Sequence, residues 1–194
     1  MRKRPRRGFA AESVFVVWQE AARPGQLASH ARCRRARQGN TISSVLDITV
    51  SATTSLSPEQ VIRAAADFSA GREKVWRNAK TKYLVVHDQG ADFAEVTEGL
   101  RIVGVFWERS RYDWSQPGTI HQTVIDSNVV ASGSTWKLTT VPRNGGSGVE
   151  MRLRREFRPS LKGRVGSALN HLGGARGWGS YLRRVLAEAE RRSA

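Results

Sequence analysis

The residues of this chain that could do chemistry lie close together, between Phe106 and Asn128. Side chains of a β-strand alternate between its two faces. One face of a strand here would carry Phe106, Glu108, Ser110, Tyr112 and Trp114. The other face would carry Trp107, Arg109, Arg111 and Asp113. The first set is apolar at its ends and polar in its middle, which is typical of a pocket wall, whereas the second set suits a solvated face.

Two of the titratable residues in this stretch have more than one interpretation. Glu108 could act as a general acid or base if it faces a buried pocket, or it could pair at the surface with Arg109 or with a lysine across the strand. His121 could be a catalyst or an ordinary packed residue of a strand. The sequence leaves these alternatives open.

Two later strands complete the expected wall. Inward positions of the sixth and seventh strands fall on Trp136, Leu138, Thr140, Val149, Met151, Leu153 and Phe157. Arg155 has the same parity, so it either extends to solvent at the rim or meets Glu108 or an anionic ligand inside.

The first part of the domain predicts one strand followed by two short helices. Val45 to Thr54 alternates as a half-buried strand. Ser57 caps a helix that begins at Pro58, and Gln60 completes a capping box. A second short helix is predicted from Glu73 to Ala79.

The middle of the chain predicts a series of strands joined by short polar loops, which is typical of an antiparallel meander. The predicted strands span residues 83–87, 93–97, 102–114, 119–128, 134–141 and 149–157. Turns are predicted between them, including one at Glu98-Gly99 and a hairpin loop over residues 144–148.

After Pro159 the apolar residues recur at helical spacing from Leu161 to Arg192. Glycines at positions 173, 174, 177 and 179 interrupt this pattern, and an interior glycine costs about 1 kcal/mol relative to alanine. The cluster indicates either a kink or break in the helix, or a thin spot that leaves room for a ligand.

These patterns together predict an α+β fold. A strongly curved antiparallel sheet of about seven strands would wrap around the long C-terminal helix, with the two short helices after the first strand. A curved sheet closed by one helix leaves a hollow between them, and such a hollow is a usual place for a small-molecule site.

Residues 1–42 form a basic extension of this domain. The 194-residue chain carries a net charge of +15, and the extension holds ten Arg or Lys residues against Glu12 and Glu20. Its polar composition cannot bury enough surface to fold, so we expect it to be disordered and the domain to span residues 43–194. The charge could attract nucleic acid or an anionic membrane. No aromatic platform accompanies the Arg32–Arg37 cluster, so we expect no specific nucleic-acid binding and at most weak membrane contact.

Several classes of site lack a sequence signal. The chain contains no GxSxG, P-loop, CxxC or HExxH motif, and its four histidines do not have metal-ligand spacing. We therefore expect no metal and no cofactor. The single cysteine, Cys33, excludes an internal disulfide and fits a reducing, cytoplasmic compartment. The oligomeric state stays open.

The element order and several local motifs resemble those of the START-like helix-grip superfamily, in particular the bacterial polyketide cyclase/dehydrase and lipid-transport group (SRPBCC-type). The resemblance covers about residues 45–192. It is carried by Ser57-Pro58-Glu59-Gln60-Val61, the region of Trp76, Arg111-Tyr112-Asp113-Trp114, Gly133-Ser134-x-Trp136 and the closing helix. It implies binding or transport of a small hydrophobic ligand, lipid-like or polyketide-like, between the sheet and the helix.

The same resemblance implies an alternative, a cofactor-free cyclase or dehydratase. Glu108, Tyr112 and His121 would then be the catalytic residues, polarising a carbonyl or moving protons. For either function we expect the ligand to contact Phe106, Trp107, Glu108, Ser110, Tyr112, Trp114, Trp136, Leu138, Met151, Leu153, Leu172 and Trp178.

Overall fold

A single antiparallel sheet of seven strands organises the domain in the computed structural model, which describes residues 45–102 and 104–193. The strands are β1 (Val45–Thr54), β2 (Val85–Gln89), β3 (Phe93–Ile102), β4 (Gly104–Asp113), β5 (Thr119–Ser127), β6 (Thr135–Arg143) and β7 (Gly146–Glu156). Their order is β1-β7-β6-β5-β4-β3-β2. The α+β helix-grip fold predicted from the sequence is confirmed. The predicted disordered extension, residues 1–42, lies outside the described residues.

The two short helices follow β1, as the sequence predicts. Helix α1 (Pro58–Ala65) has the expected capping box, because the Ser57 hydroxyl accepts from the Gln60 amide at 3.3 Å and the Gln60 side chain accepts from the Ser57 amide at 2.8 Å. Helix α2 (Arg72–Val75) is shorter than predicted. It ends because Trp76 leaves the helical conformation and donates its indole N–H to the carbonyl of Ala64 at 3.2 Å.

Strand β3 is longer than the sequence predicts. The turn expected at Glu98-Gly99 is wrong, because both residues lie inside the strand and pair with Glu108 and Trp107 of β4. Gly99 allows close approach instead of a turn, since a Cβ atom there would lie 2.7 Å from the carbonyl oxygen of Phe106. The extra length of β3 brings the Glu98 side chain onto the inner face of the sheet, beside the inward set of β4.

The long helix α3 (Leu161–Ser193) closes the inner face and contains the predicted kink. Gly174 has φ 47° and ψ −153°, which breaks the helical geometry and suits glycine. After the kink, Leu182, Val185 and Leu186 pack into the main core against the sheet. No helix within the described residues has the length and apolar character needed to cross a membrane.

Two leucines of α3 test this packing. Leu182 is fully buried and Leu172 is 79% exposed. Leu182→Ala should lower the free energy of unfolding by about 2–5 kcal/mol, because it opens a hole in the core. Leu172→Ala, the matched control, should change it by less than about 0.5 kcal/mol. Urea unfolding followed by circular dichroism measures both, and equal losses would contradict the packing of the helix.

Candidate functional site

A cavity of about 310 Å³ lies between the inner face of the sheet, the segment around α2, and α3. Its apolar wall is largely aromatic and includes Trp76, Phe106, Trp136, Leu153, Phe157 and Trp178. Five charged side chains also line it, namely Arg72, Arg77, Glu98, Glu108 and Arg155. The cavity therefore combines apolar surface with a few polar groups, as small-molecule sites do.

Over half of the residues predicted to contact a ligand meet in this cavity. Those that line it are Phe106, Trp107, Glu108, Tyr112, Trp136, Leu153 and Trp178. Ser110, Leu138 and Met151 are buried in the core and do not line it. Trp114 packs beside Phe68, with ring centroids 6.3 Å apart, and donates its indole N–H to the carbonyl of Ala91.

Two further predicted site residues, His121 and Leu172, are exposed and also do not line the cavity. His121 is exposed on the opposite face of the sheet, in a depression shared with Arg111, Asp113 and Lys137. The reason is strand parity, because its neighbour Gln122 takes the inward position on β5. Leu172 precedes the kink at Gly174 and projects into solvent. Neither His121 nor Leu172 therefore lines the cavity.

Four polar side chains on the inner face of the sheet are linked by hydrogen bonds, and we call this group the polar chain: Glu108, Arg155, Gln122 and Ser110. It shows which of the alternatives for Glu108 and Arg155 the structure adopts. Arg155 donates to the Glu108 carboxylate at 2.6 Å and to the Gln122 side-chain oxygen at 3.0 Å. Gln122 in turn donates to the Ser110 hydroxyl at 2.7 Å. The side chains of Arg155 and Glu108 are 13% and 28% exposed, so the pair is sheltered yet within reach of a ligand.

A second ion pair in the cavity was not anticipated from the sequence. Arg72 of α2, whose side chain is 4% exposed, pairs with Glu98 of β3. The Tyr112 hydroxyl donates to the same carboxylate at 2.5 Å. The Arg72 guanidinium also lies 4.3 Å from the ring centroid of Phe68. The alternation along β3 indicates that Glu98 faces inward, since Ala94, Val96 and Glu98 share one parity. The turn predicted at Glu98-Gly99 ended the strand before this residue, so Glu98 was not assigned to the site.

The charge states around Arg72 follow from burial and from this pairing. Burial is the largest single influence on Arg72 and lowers its pKa, but the charge of Glu98, the neighbouring Tyr112 and their hydrogen bonds together outweigh it and raise the pKa of the guanidinium. Burial is also the largest reason why the pKa of Tyr112 lies well above its usual 10.0, and the charge of Glu98 adds to it. Tyr112 is therefore a neutral hydroxyl that donates to a carboxylate.

The two ion pairs are neighbours across the sheet. Glu98 and Glu108 are directly opposed in the pairing of β3 with β4, and cross-strand Cβ atoms at such positions lie about 4.5–5.5 Å apart. Each carboxylate has its own arginine, supplied by α2 in one case and by β7 in the other. Within the described residues, no group of three or more His, Cys, Asp or Glu side chains is arranged to hold a metal ion.

Solved structures with the same fold support the architecture. The Zhui aromatase/cyclase from Streptomyces sp. R1128 has a TM-score of 0.62 at 15% identity, over 77% of this chain and 96% of that one. A START superfamily protein from Mycobacterium smegmatis has a TM-score of 0.55 at 12% identity, over 75% and 95% of the two chains. The di-domain ARO/CYC StfQ from the steffimycin biosynthetic pathway has a TM-score of 0.58 at 16% identity, over 77% of this chain and 52% of that chain.

These likenesses confirm the resemblance at the level of the fold. The chain has the START-like helix-grip architecture that its element order predicts. No protein-family model and no curated protein matches the sequence.

The Arg72–Glu98 pair can be tested by neutralising its carboxylate. Glu98→Gln should lower the free energy of unfolding by about 3–5 kcal/mol, because it leaves Arg72 as a buried charge without its partner. Glu95→Gln on the same strand is the matched control, since Glu95 pairs with the exposed Arg109 at 2.7 Å on the outer face. Its cost should stay below about 1 kcal/mol. Equal losses of unfolding free energy in the two variants would show that the buried pair contributes no more to stability than the exposed pair.

Tyr112 predicts a specific alkaline dependence of stability. Its folded pKa lies above the unfolded value near 10.0. Its contribution is therefore fully present below pH 10 and declines as the pH rises further, because the unfolded chain loses the proton first. Tyr112→Phe should make the free energy of unfolding fall less steeply above that pH, by up to about 1.4 kcal/mol per pH unit. Urea unfolding across an alkaline pH series measures the slopes, and parallel profiles would contradict the assignment.

Proposed function

We propose that this protein binds or carries a small, largely apolar molecule in the cavity between the sheet and α3. The observation that carries the proposal is a cavity of about 310 Å³ whose mainly aromatic and aliphatic wall surrounds the sheltered Arg155–Glu108 pair. Burial of apolar surface supplies roughly 25 cal/mol per Å², so the wall would provide most of the affinity.

The polar chain would orient the bound molecule. The Arg155 guanidinium donates a hydrogen bond of 3.0 Å to the Gln122 side-chain oxygen and one of 2.6 Å to the Glu108 carboxylate. These side chains are fixed before a ligand arrives, so binding would not need to order them, which lowers its entropic cost. A hydroxyl or carbonyl group of the ligand would hydrogen-bond at this point of the wall.

Cofactor-free cyclisation or dehydration is the second candidate. The observation that favours it is the Glu108 carboxylate, which is 28% exposed in the cavity and is paired with a guanidinium. Glu108 could remove a proton from a carbon between two carbonyl groups while Arg155 stabilises the enolate oxygen. Tyr112 would not donate to the substrate in this scheme, because its single hydroxyl hydrogen is already donated to Glu98. The exposed position of His121 removes it from this scheme.

Two broader parts of the proposal rest on the sequence. The chain would act in the cytoplasm, in line with its single cysteine. It would transport its ligand without a resident metal or cofactor. The binding proposal does not depend on either of these two statements.

The binding proposal can be tested with a cavity-narrowing substitution. Val129 is buried and lines the cavity, so Val129→Phe should place the added ring inside it and weaken binding of the neutral dye Nile red by roughly tenfold. Val141→Phe is the matched control, since Val141 is 51% exposed and does not line the cavity. It should bind like the wild type.

Fluorescence titration of the full chain measures both variants, and circular dichroism checks that each is folded. Equal affinities in the two variants, or no dye binding by the wild type, would contradict the proposal. Native mass spectrometry of protein purified from its host would give the mass of the ligand carried.

A further inference from the structure

We propose that the cavity selects uncharged ligands, such as ketones and alcohols, over carboxylates, and that Glu108 imposes this selection. The inference rests on the proposed binding function and narrows it to one chemical class. It is drawn from the charges that line the cavity and from their partners.

The inner charges of the cavity are already balanced. Arg155 is bonded to Glu108 at 2.6 Å, and Arg72 is paired with Glu98. Arg72 further donates to the carbonyls of Ala65 and Asp67 at 3.0 and 3.1 Å. A ligand carboxylate would therefore find neither guanidinium without a counter-charge.

The position of the two carboxylates makes an additional negative charge unfavourable. Glu98 and Glu108 oppose one another on adjacent strands, so an anion bound at the polar chain would lie close to both. It would also lose its hydration in a wall made mostly of aromatic side chains. Transfer of a charge from water into such surroundings is costly unless the charge gains a partner of its own.

The remaining charged residue of the wall, Arg77, belongs to the mouth of the cavity. Its side chain is exposed. The pKa of Glu188 is lowered mainly by a hydrogen bond from Arg191, and the charge of Arg77 also contributes. Arg77 is thus an exposed cation near an acidic residue of α3, and the hydrogen bonds of the polar chain do not include it.

A neutral oxygen group suits the polar chain better. A guanidinium has five N–H groups, and the bonds of Arg155 to Glu108 and Gln122 leave capacity for a ligand carbonyl. The Glu108 carboxylate, 28% exposed, can accept from a ligand hydroxyl. The site therefore offers a donor and an acceptor side by side without a net charge.

Displacement of Nile red from the full chain by decanol and by decanoate tests this selection, at a pH where decanoate is ionised. Wild-type protein should bind decanol roughly tenfold more tightly than decanoate. Glu108→Gln releases Arg155 from its carboxylate, so decanoate should bind roughly tenfold more tightly than it does to the wild type, while decanol should change by less than about threefold. Glu95→Gln makes the same charge change on the outer face and should leave both affinities unchanged.

The outcomes separate this inference from the proposed function. Equal or tighter binding of decanoate by the wild type would overturn the selection and leave the binding function standing. Decanoate binding that disappears in Arg77→Gln would also overturn it, because the anion would then be held at the mouth. Absence of Nile red binding by the wild type would overturn the function and the selection together, whereas bound dye that decanol does not displace would overturn the selection alone. The wild-type comparison needs no variant, so it decides whether the cavity selects uncharged ligands even if Glu108→Gln does not fold.

Discussion

The ion pair between Arg72 and Glu98 is the interaction on which the arrangement of this domain depends. Arg72 bonds to Glu98 on the sheet and to backbone carbonyls of Ala65 and Asp67 at the end of α1. One side chain therefore joins both short helices to β3. A buried ion pair is a weak source of net stability, but loss of either partner is costly. Its main effect here is geometric, since it holds the short helices over the sheet and thereby defines one side of the cavity.

Aromatic packing explains how this domain keeps an interior space. Trp76 and Trp136 meet edge to face, with ring centroids 5.5 Å apart and an interplanar angle of 87°. Tyr112 makes similar contacts with Phe68 and Trp136. Rings held by neighbours on two sides cannot rotate to fill a void as flexible aliphatic chains can. The wall thus has its shape before a ligand enters, and this pre-organisation favours binding.

The sequence predicts the architecture well because the fold depends on repeated signals, namely alternation in the strands and the cap at Ser57. It predicts the site less well because each error concerns one residue and a distant contact. The Glu98-Gly99 pair was interpreted as a turn, although Gly99 permits close strand packing and Glu98 binds a residue 26 positions away. His121 was assigned to the site from its residue type alone, because the alternation along β5 was not used to decide which face of the sheet its side chain occupies. A local pattern contains no information on such long-range partners.

The break at Gly174 divides α3 into two parts that are anchored to different extents. Hydrogen bonding along a helix is cooperative, and an interruption lets the two parts respond separately. The part after the break is anchored by Leu182, Val185 and Leu186 in the main core. The part before it buries mainly the small residues Gly163, Gly166 and Ser167. Amide protons of this earlier part should therefore exchange with solvent by local opening while the sheet and the later part stay folded. Such opening would move Gly166 and Asn170, which line the cavity, without unfolding of the domain.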